Sequence, residues 1–524
     1  MLKKTLIFSL LLLSTMVGPA VAFDIPELYT SIQVNPGLRG DVLLGCLYDV
    51  RDLDGLAQQT LINIVNTDPV YGVVVRFRFR DYKRSHEVLD FHVPLSKNDV
   101  WSAVIYKSLS GRAYLHSFDP ISKDIADSAS FWPLILATDP NGLDTVDPVI
   151  PGAPTDPFGG KGVPFSTLNV DGNVARTIYG EFEIIGEERV AGDFDFVNKR
   201  VLRVDLTTPC GVGFYGVGGL PGPGVCGRDA QNSLFGETWL VRVDNGIAEE
   251  YQLLALSNFS VNTAGIKGTV VSQRPNLQDD AQGAIGQPGF GALPQVEFVL
   301  SKRNIFAQYV NDQGVLANTS VVVSFPTKWV HFSNTTPFPV QSLPFVGPNE
   351  TIQDGLSDAF LFIVYDREEH PLTSTPGEPI FSPVQTGTPN VPRWPFEVNV
   401  VGLYDHAITA PSPSVPPASL FRDNAFISTF DDDQHFTAGW IRFDLSPNTA
   451  DLPAGVTGDQ GAAGDFNFFD SLFSEDNFTA YRGLPVIGIV LTEVVNLTIG
   501  TQGGYYGAAV PWASAVDWTA DTDL

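Results

Sequence analysis

Glu181 and Glu183 stand two residues apart in the run 177–185, whose alternation predicts a β-strand with both carboxyls on one face. Retaining glycosidases need two carboxyl groups about 5–5.5 Å apart, one as acid and one as nucleophile, and this spacing can supply them. The same pattern, with Glu187 and Glu188 at the strand's end, is also that of a solvated sheet face. Three loops gather oxygen donors: Asp139, Asn141, Asp144 and Asp147; Asp431, Asp432 and Asp433; Asp465, Asn467 and Asp470. Hard cations take several oxygens from loops of this kind, so calcium is the expected inorganic partner, although no loop has the full Asp-x-Asp-x-Asp-Gly spacing. Nucleophile elbows and Cys-x-x-Cys or His-Glu-x-x-His motifs are missing, and the seven histidines (His86, His92, His116, His331, His370, His406, His435) are scattered. No residue is therefore assigned as catalytic outside the glycosidase alternative.

The thiols are Cys46, Cys210 and Cys226, and seven of the fifteen residues between the last two are glycine. In an oxidising compartment a Cys210–Cys226 disulfide closing that loop would contribute about 3 kcal/mol, while Cys46 reads as a buried or unpaired thiol. Asn-x-Ser/Thr sequons begin at Asn258, Asn318, Asn334, Asn349, Asn477 and Asn496.

The elements that would carry these groups are strands. In 73–80, Val73, Val75, Phe77 and Phe79 alternate with Arg76, Arg78 and Arg80, the pattern of a strand with one buried face. The run 89–95 repeats the alternation after a short connection around Lys83, so an antiparallel pair is expected, with the basic row meeting Glu87 and Asp90. Runs 61–65 and 101–106 read as neighbouring strands of the same module. Asp244-Asn245-Gly246 between 237–243 and 250–256 is a hairpin signal, because both turn residues tolerate positive φ. Further strands are expected at 199–206, 321–325, 360–365, 397–403, 439–445 and 485–492, and 295–310 reads as helix or strand. Pro- and Gly-rich segments at 138–165, 371–395 and 411–417 cannot sustain a ladder.

Charged residues are only 17%, with 36 Phe, 49 Gly and 39 Pro, which predicts an all-β chain of antiparallel β-sandwich-like modules with long loops and few short helices. The expected division is a signal peptide at 1–22, a sandwich at 23–137, a linker at 138–175, a middle region at 176–330 and a C-terminal region at 331–524. Lys3 and Lys4, an apolar run 6–13 and the exit Ala20-Val21-Ala22 have the order of a secretory leader, too short to span a bilayer. Export to the cell surface, the medium or the periplasm follows. Losing the two leader lysines takes the net charge from −28 to −30, which argues against nucleic acid as a partner. The most apolar later stretch, 484–491, is half a membrane span and reads as a buried strand.

Three groups of residues together resemble large, exported, β-rich bacterial proteins of unknown function: 61–66 with 73–78, 87–91 and Trp101; Leu234-Phe235-Gly236 with the 244–246 turn; and Thr327-Lys328-Trp329-Val330-His331 with Tyr365-Asp366-Arg367-Glu368-Glu369. The resemblance implies bacterial export and brings no catalytic residues. The favoured expectation is a cell-surface structural or interaction protein, of surface-layer, filament, matrix or adhesin type, partnered by its own copies, surface components or polysaccharide. A secreted carbohydrate-active or carbohydrate-binding protein is the alternative, and an outer-membrane β-barrel the second alternative.

Overall fold

The computed structural model describes most of residues 32–117, 162–191, 232–259, 292–331, 358–366, 393–405, 425–445 and 484–515, with a few isolated positions besides. Expectations falling outside these residues are the leader 1–22, the 199–206 strand, the Cys210–Cys226 bridge and all three calcium loops, from Asp139 to Asp147, Asp431 to Asp433 and Asp465 to Asp470.

Four sheets carry the architecture. The first runs in the order β1 (Gln33–Val34), β13 (Leu254–Ser257), β2 (Val42–Asp49), β10 (Tyr179–Ala191), β5 (Tyr71–Asp81), β6 (Glu87–Leu95). The second runs β12 (Ile247–Gln252), β11 (Leu234–Arg242), β4 (Leu56–Asn66), β7 (Val100–Lys107), β8 (Ala113–Ser117), β9 (Val163–Pro164), with β3 (Asp52–Leu53) beside β4. The third runs β19 (Phe381–Ser382), β22 (Ala425–Thr429), β21 (Val398–Asp405), β16 (Ala317–Ser324), β25 (Ile487–Asn496), β26 (Gly504–Pro511). The fourth runs β18 (Leu361–Asp366), β23 (Ala438–Asp444), β15 (Asn304–Val310), β27 (Ala513–Ala515). Two short pairs, β14 (Ser301–Lys302) with β24 (Leu484–Pro485) and β17 (Asp358–Ala359) with β20 (Arg393–Trp394), complete the described strands. All described ladders are antiparallel except β21 with β22.

The expected all-β, sandwich-like class with few helices is the one observed. Within 295–310 the chain is helical first, as α1 (Ala292–Leu300), and extended from Asn304 on. The hairpin forms with Gly246 at φ +69, but the run expected at 250–256 breaks at Leu253, with β12 in the second sheet and β13 in the first. Strands from 179–257 thus complete the sheets begun by 33–117, so 176–257 builds no sheet of its own.

Sheets one and two close the first sandwich over an aromatic centre, where Phe77 of β5 meets Phe91 of β6 at 5.0 Å and Trp101 of β7 at 4.5 Å. Sheets three and four close the second over Val321, Val323, Phe325, Ile441 and Phe443. Parity along β16 then matters: Val321 and Val323 face their own core, while Val322, with Val400, Ile489 and Leu491, joins the core cluster of the first sandwich. Sheets one and three therefore stack on each other, and every residue of β2 and of β16 is buried. Strands buried on both faces read as near-continuous apolar runs rather than as alternations, which is how β2 reads, while β16 has only Val321 to Val323 as such a run and buries Asn318, Thr319, Ser320 and Ser324 beside it.

Gly45 of β2 lies under the Phe182 ring, with no room for a Cβ. Gly45→Ala is expected to cost about 1–3 kcal/mol through overpacking, measured by urea unfolding; an unchanged midpoint would show that the ring has somewhere to go.

Candidate functional site

The arginine row of β5 defines the centre of the stack. Phe77 and Phe79 point into the first sandwich, so Arg76, Arg78 and Arg80 point the other way, toward sheet three. The expectation of a single buried face is corrected here: all three guanidinium-bearing residues are buried. The acids predicted across the ladder do meet them. Arg76 bonds Asp90 through both Nη2 and Nε, the latter at 2.8 Å, and lies 3.7 Å from Glu87. Arg78 Nε donates to Glu87 at 2.9 Å.

Glu181 and Glu183 come to the same row from β10, which pairs Glu183 with Arg78 and Glu181 with Arg80. Glu183 Oε1 accepts from Arg78 Nη1 at 2.6 Å and from Arg80 Nη2 at 3.3 Å. Among the described residues Glu181 has hydroxyl donors alone, Ser85 Oγ at 2.8 Å and, from β16 of the second sandwich, Ser324 Oγ at 2.6 Å. Burial pushes Glu181 up to about 7, while the two hydroxyls and Arg80 pull the other way. Three guanidiniums thus face three ion-paired carboxylates and one carboxyl that titrates near neutrality. Both acids are almost fully enclosed, at 2% and 3% exposure.

Trp329 caps the row from the second sandwich. Its ring lies 4.0 Å from the Arg80 guanidinium carbon and 5.8 Å from that of Arg78, and its indole N–H donates to the Pro326 carbonyl at 3.0 Å. The neighbouring Lys328 is buried and donates to the Trp394 carbonyl at 3.1 Å. Burial pushes Glu397 well above the usual carboxylate range despite Lys328, and the Tyr82 carbonyl accepts from the amides of Glu397 and Val398, joining the sandwiches through main chain. Tyr82 also stacks on Tyr179 at 3.8 Å and meets Phe396 edge-on.

At the margin, Asp81 holds Arg176 at 2.6 Å and caps the β5–β6 turn through the amides of Lys83 and His86. Arg176 Nη2 lies 3.2 Å from His86 Nδ1, and a guanidinium only donates, so Nδ1 accepts and the ring is neutral. Burial, the largest influence, lowers the His86 value accordingly.

What the site can do follows from enclosure. It neutralises charge within sheet one and joins that sheet to the second sandwich through the Ser324 hydroxyl, the Trp329 ring and the Tyr82 carbonyl, and its acids lack the open approach that a sugar chain would need. The cysteine seen in the structure, Cys46, is a buried free thiol pushed up by burial. Among the sequons, Asn318 is buried in β16, and Asn258 exchanges side-chain and main-chain hydrogen bonds with Asn232, so both asparagines serve the fold. Among the described residues no cluster of three or more His, Cys, Asp or Glu could hold a metal ion. No helix there is long and apolar enough to cross a membrane. No protein-family model, curated protein or solved structure matches this chain.

Sequence reasoning found the row's partners on β6 and missed those on β10. Their signal was the matching two-residue spacing of Arg78/Arg80 and Glu181/Glu183. Glu183→Gln, which leaves two buried guanidiniums short of a counter-charge, is expected to cost about 3–5 kcal/mol in urea unfolding; under about 1 kcal/mol would mean that the layer is solvated. Glu181 is raised in the fold from 4.5 to about 7, so its contribution is complete below 4.5 and is lost as pH climbs to about 7, roughly 3 kcal/mol in all. Glu181→Gln should therefore flatten the fall in thermal midpoint between pH 5 and 8; an equal fall in both proteins would remove Glu181 as its source.

Proposed function

We propose that this chain is an exported, non-catalytic structural or interaction protein of the cell surface, a surface-layer, filament, matrix or adhesin-type subunit. The observation that carries the reading is how the paired acids are used: Glu181 and Glu183, the best catalytic candidates of the sequence, hold Ser324, Arg78 and Arg80 in a closed seam between two sandwiches. A chain built this way offers a stiff two-sandwich block to its neighbours. Export through residues 1–22, the net charge of −28 and the Pro- and Gly-rich connections agree with service outside the cytoplasm. Its partners are then other copies of itself or surface components, polysaccharide among them. Electron microscopy of purified cell envelopes, with and without the gene, tests this: a lattice, fibre or attachment phenotype lost on deletion is expected, and a monodisperse soluble monomer with no such phenotype would contradict it.

A carbohydrate-binding reading has one observation of its own. On the fourth sheet Tyr365 and Trp440 stack at 3.9 Å with Phe306 beside them at 5.9 Å, all three partly exposed, and aromatic rings pack on the apolar faces of sugars. If sugar binds there, Trp440→Ala abolishes retention on a polysaccharide panel while Glu183→Gln does not. Turnover of any polysaccharide that Glu183→Gln destroys would instead revive the glycosidase alternative.

A further inference from the structure

A second meeting point of the sandwiches lies at their rim. β11 and β12 pair Leu240 with Glu249 and Arg242 with Ile247, which sets Arg242 and Glu249 on one face, both buried. From the second sandwich, β25 and β26 pair Glu493 with Gly507, and β16 sets Asn318 beside Glu493. Arg242 Nη2 donates to Glu493 Oε1 at 3.1 Å, an ion pair between the sandwiches. Its Nε and Nη1 have no protein acceptor among the described residues, and neither oxygen of Glu249 has a donor there. The Glu249 carboxyl rests directly on Gly507, where a Cβ would collide with Oε1.

One guanidinium therefore stands between two buried carboxyls, one on its own sandwich and one on the other. Arg242 is bonded to Glu493 and not to Glu249. We propose that Glu249 is a proton-operated gate on this seam. While neutral it leaves Arg242 committed to Glu493, and once ionised it draws Nε and Nη1 back toward its own sheet and loosens the bond between the sandwiches.

The surroundings agree in sign. Burial, opposed by Arg242, pushes Glu249 up from 4.5 to about 8. The charged groups facing it are Arg242 from β11 and Glu493 from β25; β26 presents Gly507 and β16 presents Asn318, which do not titrate. Tyr251, next on the same face, donates its hydroxyl to the Leu47 carbonyl and is raised by burial, so it stays neutral. An acid raised in the docked state supports docking fully below 4.5 and weakens it by about tenfold per pH unit as pH climbs toward 8. The gate does not depend on the surface role proposed above.

Hydrogen exchange of the 487–496 and 504–511 amides in the full chain, corrected for intrinsic rate, tests the gate at pH 6 and pH 9. The wild type is expected to lose more than tenfold of its protection there, and Glu249→Gln, which fixes the neutral form, to keep its pH 6 protection at pH 9. Equal loss in both proteins would overturn the proposal. Should Glu249→Gln fail to fold, infrared spectroscopy of Glu493→Gln gives a second readout. Releasing Arg242 to Glu249 should remove one protonated-carboxyl band seen in the wild type at pH 7, and an unchanged band would overturn the gate.

Discussion

The arginine row of sheet one, with Glu183 held by Arg78 and Arg80, meets the second sandwich through the Trp329 ring over Arg80 and the Ser324 hydroxyl on Glu181, and the two sandwiches are arranged around this contact. Its energy alone is modest, because removing these charges from water cancels most of the attraction between them. The apolar contacts beside it, Val322, Ile489 and Leu491 against the first sandwich, supply the bulk of the adhesion. What the charges add is register. A slide of β10 by one residue would turn its acids into the aromatic core and leave two buried guanidiniums, Arg78 and Arg80, short of a partner. Apolar surfaces tolerate sliding; this row does not.

Enclosure has a second consequence, in protons. Glu181, Glu249 and Glu397 are buried where cations are too few to match them, and burial raises all three above the ordinary carboxylate range. Each is a neutral acid over part of the pH range in which exposed carboxylates are ionised. The seam is thus balanced by bound protons as well as by arginines. A strongly acidic chain keeps its interior near neutrality this way while its surface stays negative.

Much of this was legible in the residues. The β5–β6 pair, its cross-strand acids and the 244–246 hairpin follow from alternation and turn chemistry, which act over a few residues. The dual burial of β5 was not legible, because an Arg row opposite a Phe row has the same pattern whether water or a second sheet covers it. Only the complementary spacing of Glu181 and Glu183, a hundred residues away, hinted at a partner, and even that pairing lies within one sheet. Trp329 and Ser324, which close the layer from above, carry no local sign of their role. The switch of sheets at Leu253 was hidden for a similar reason, since the alternation of buried positions runs on without a break from Ile247 through Tyr251 and Leu253 to Ala255.

Differential scanning calorimetry of the intact protein near pH 6 tests most directly whether the two sandwiches are one unit. A single transition, with calorimetric and van't Hoff enthalpies equal, is the result required if the charged layer and its apolar border fasten them. Two separated transitions, one for each sandwich, would mean that the layer is incidental.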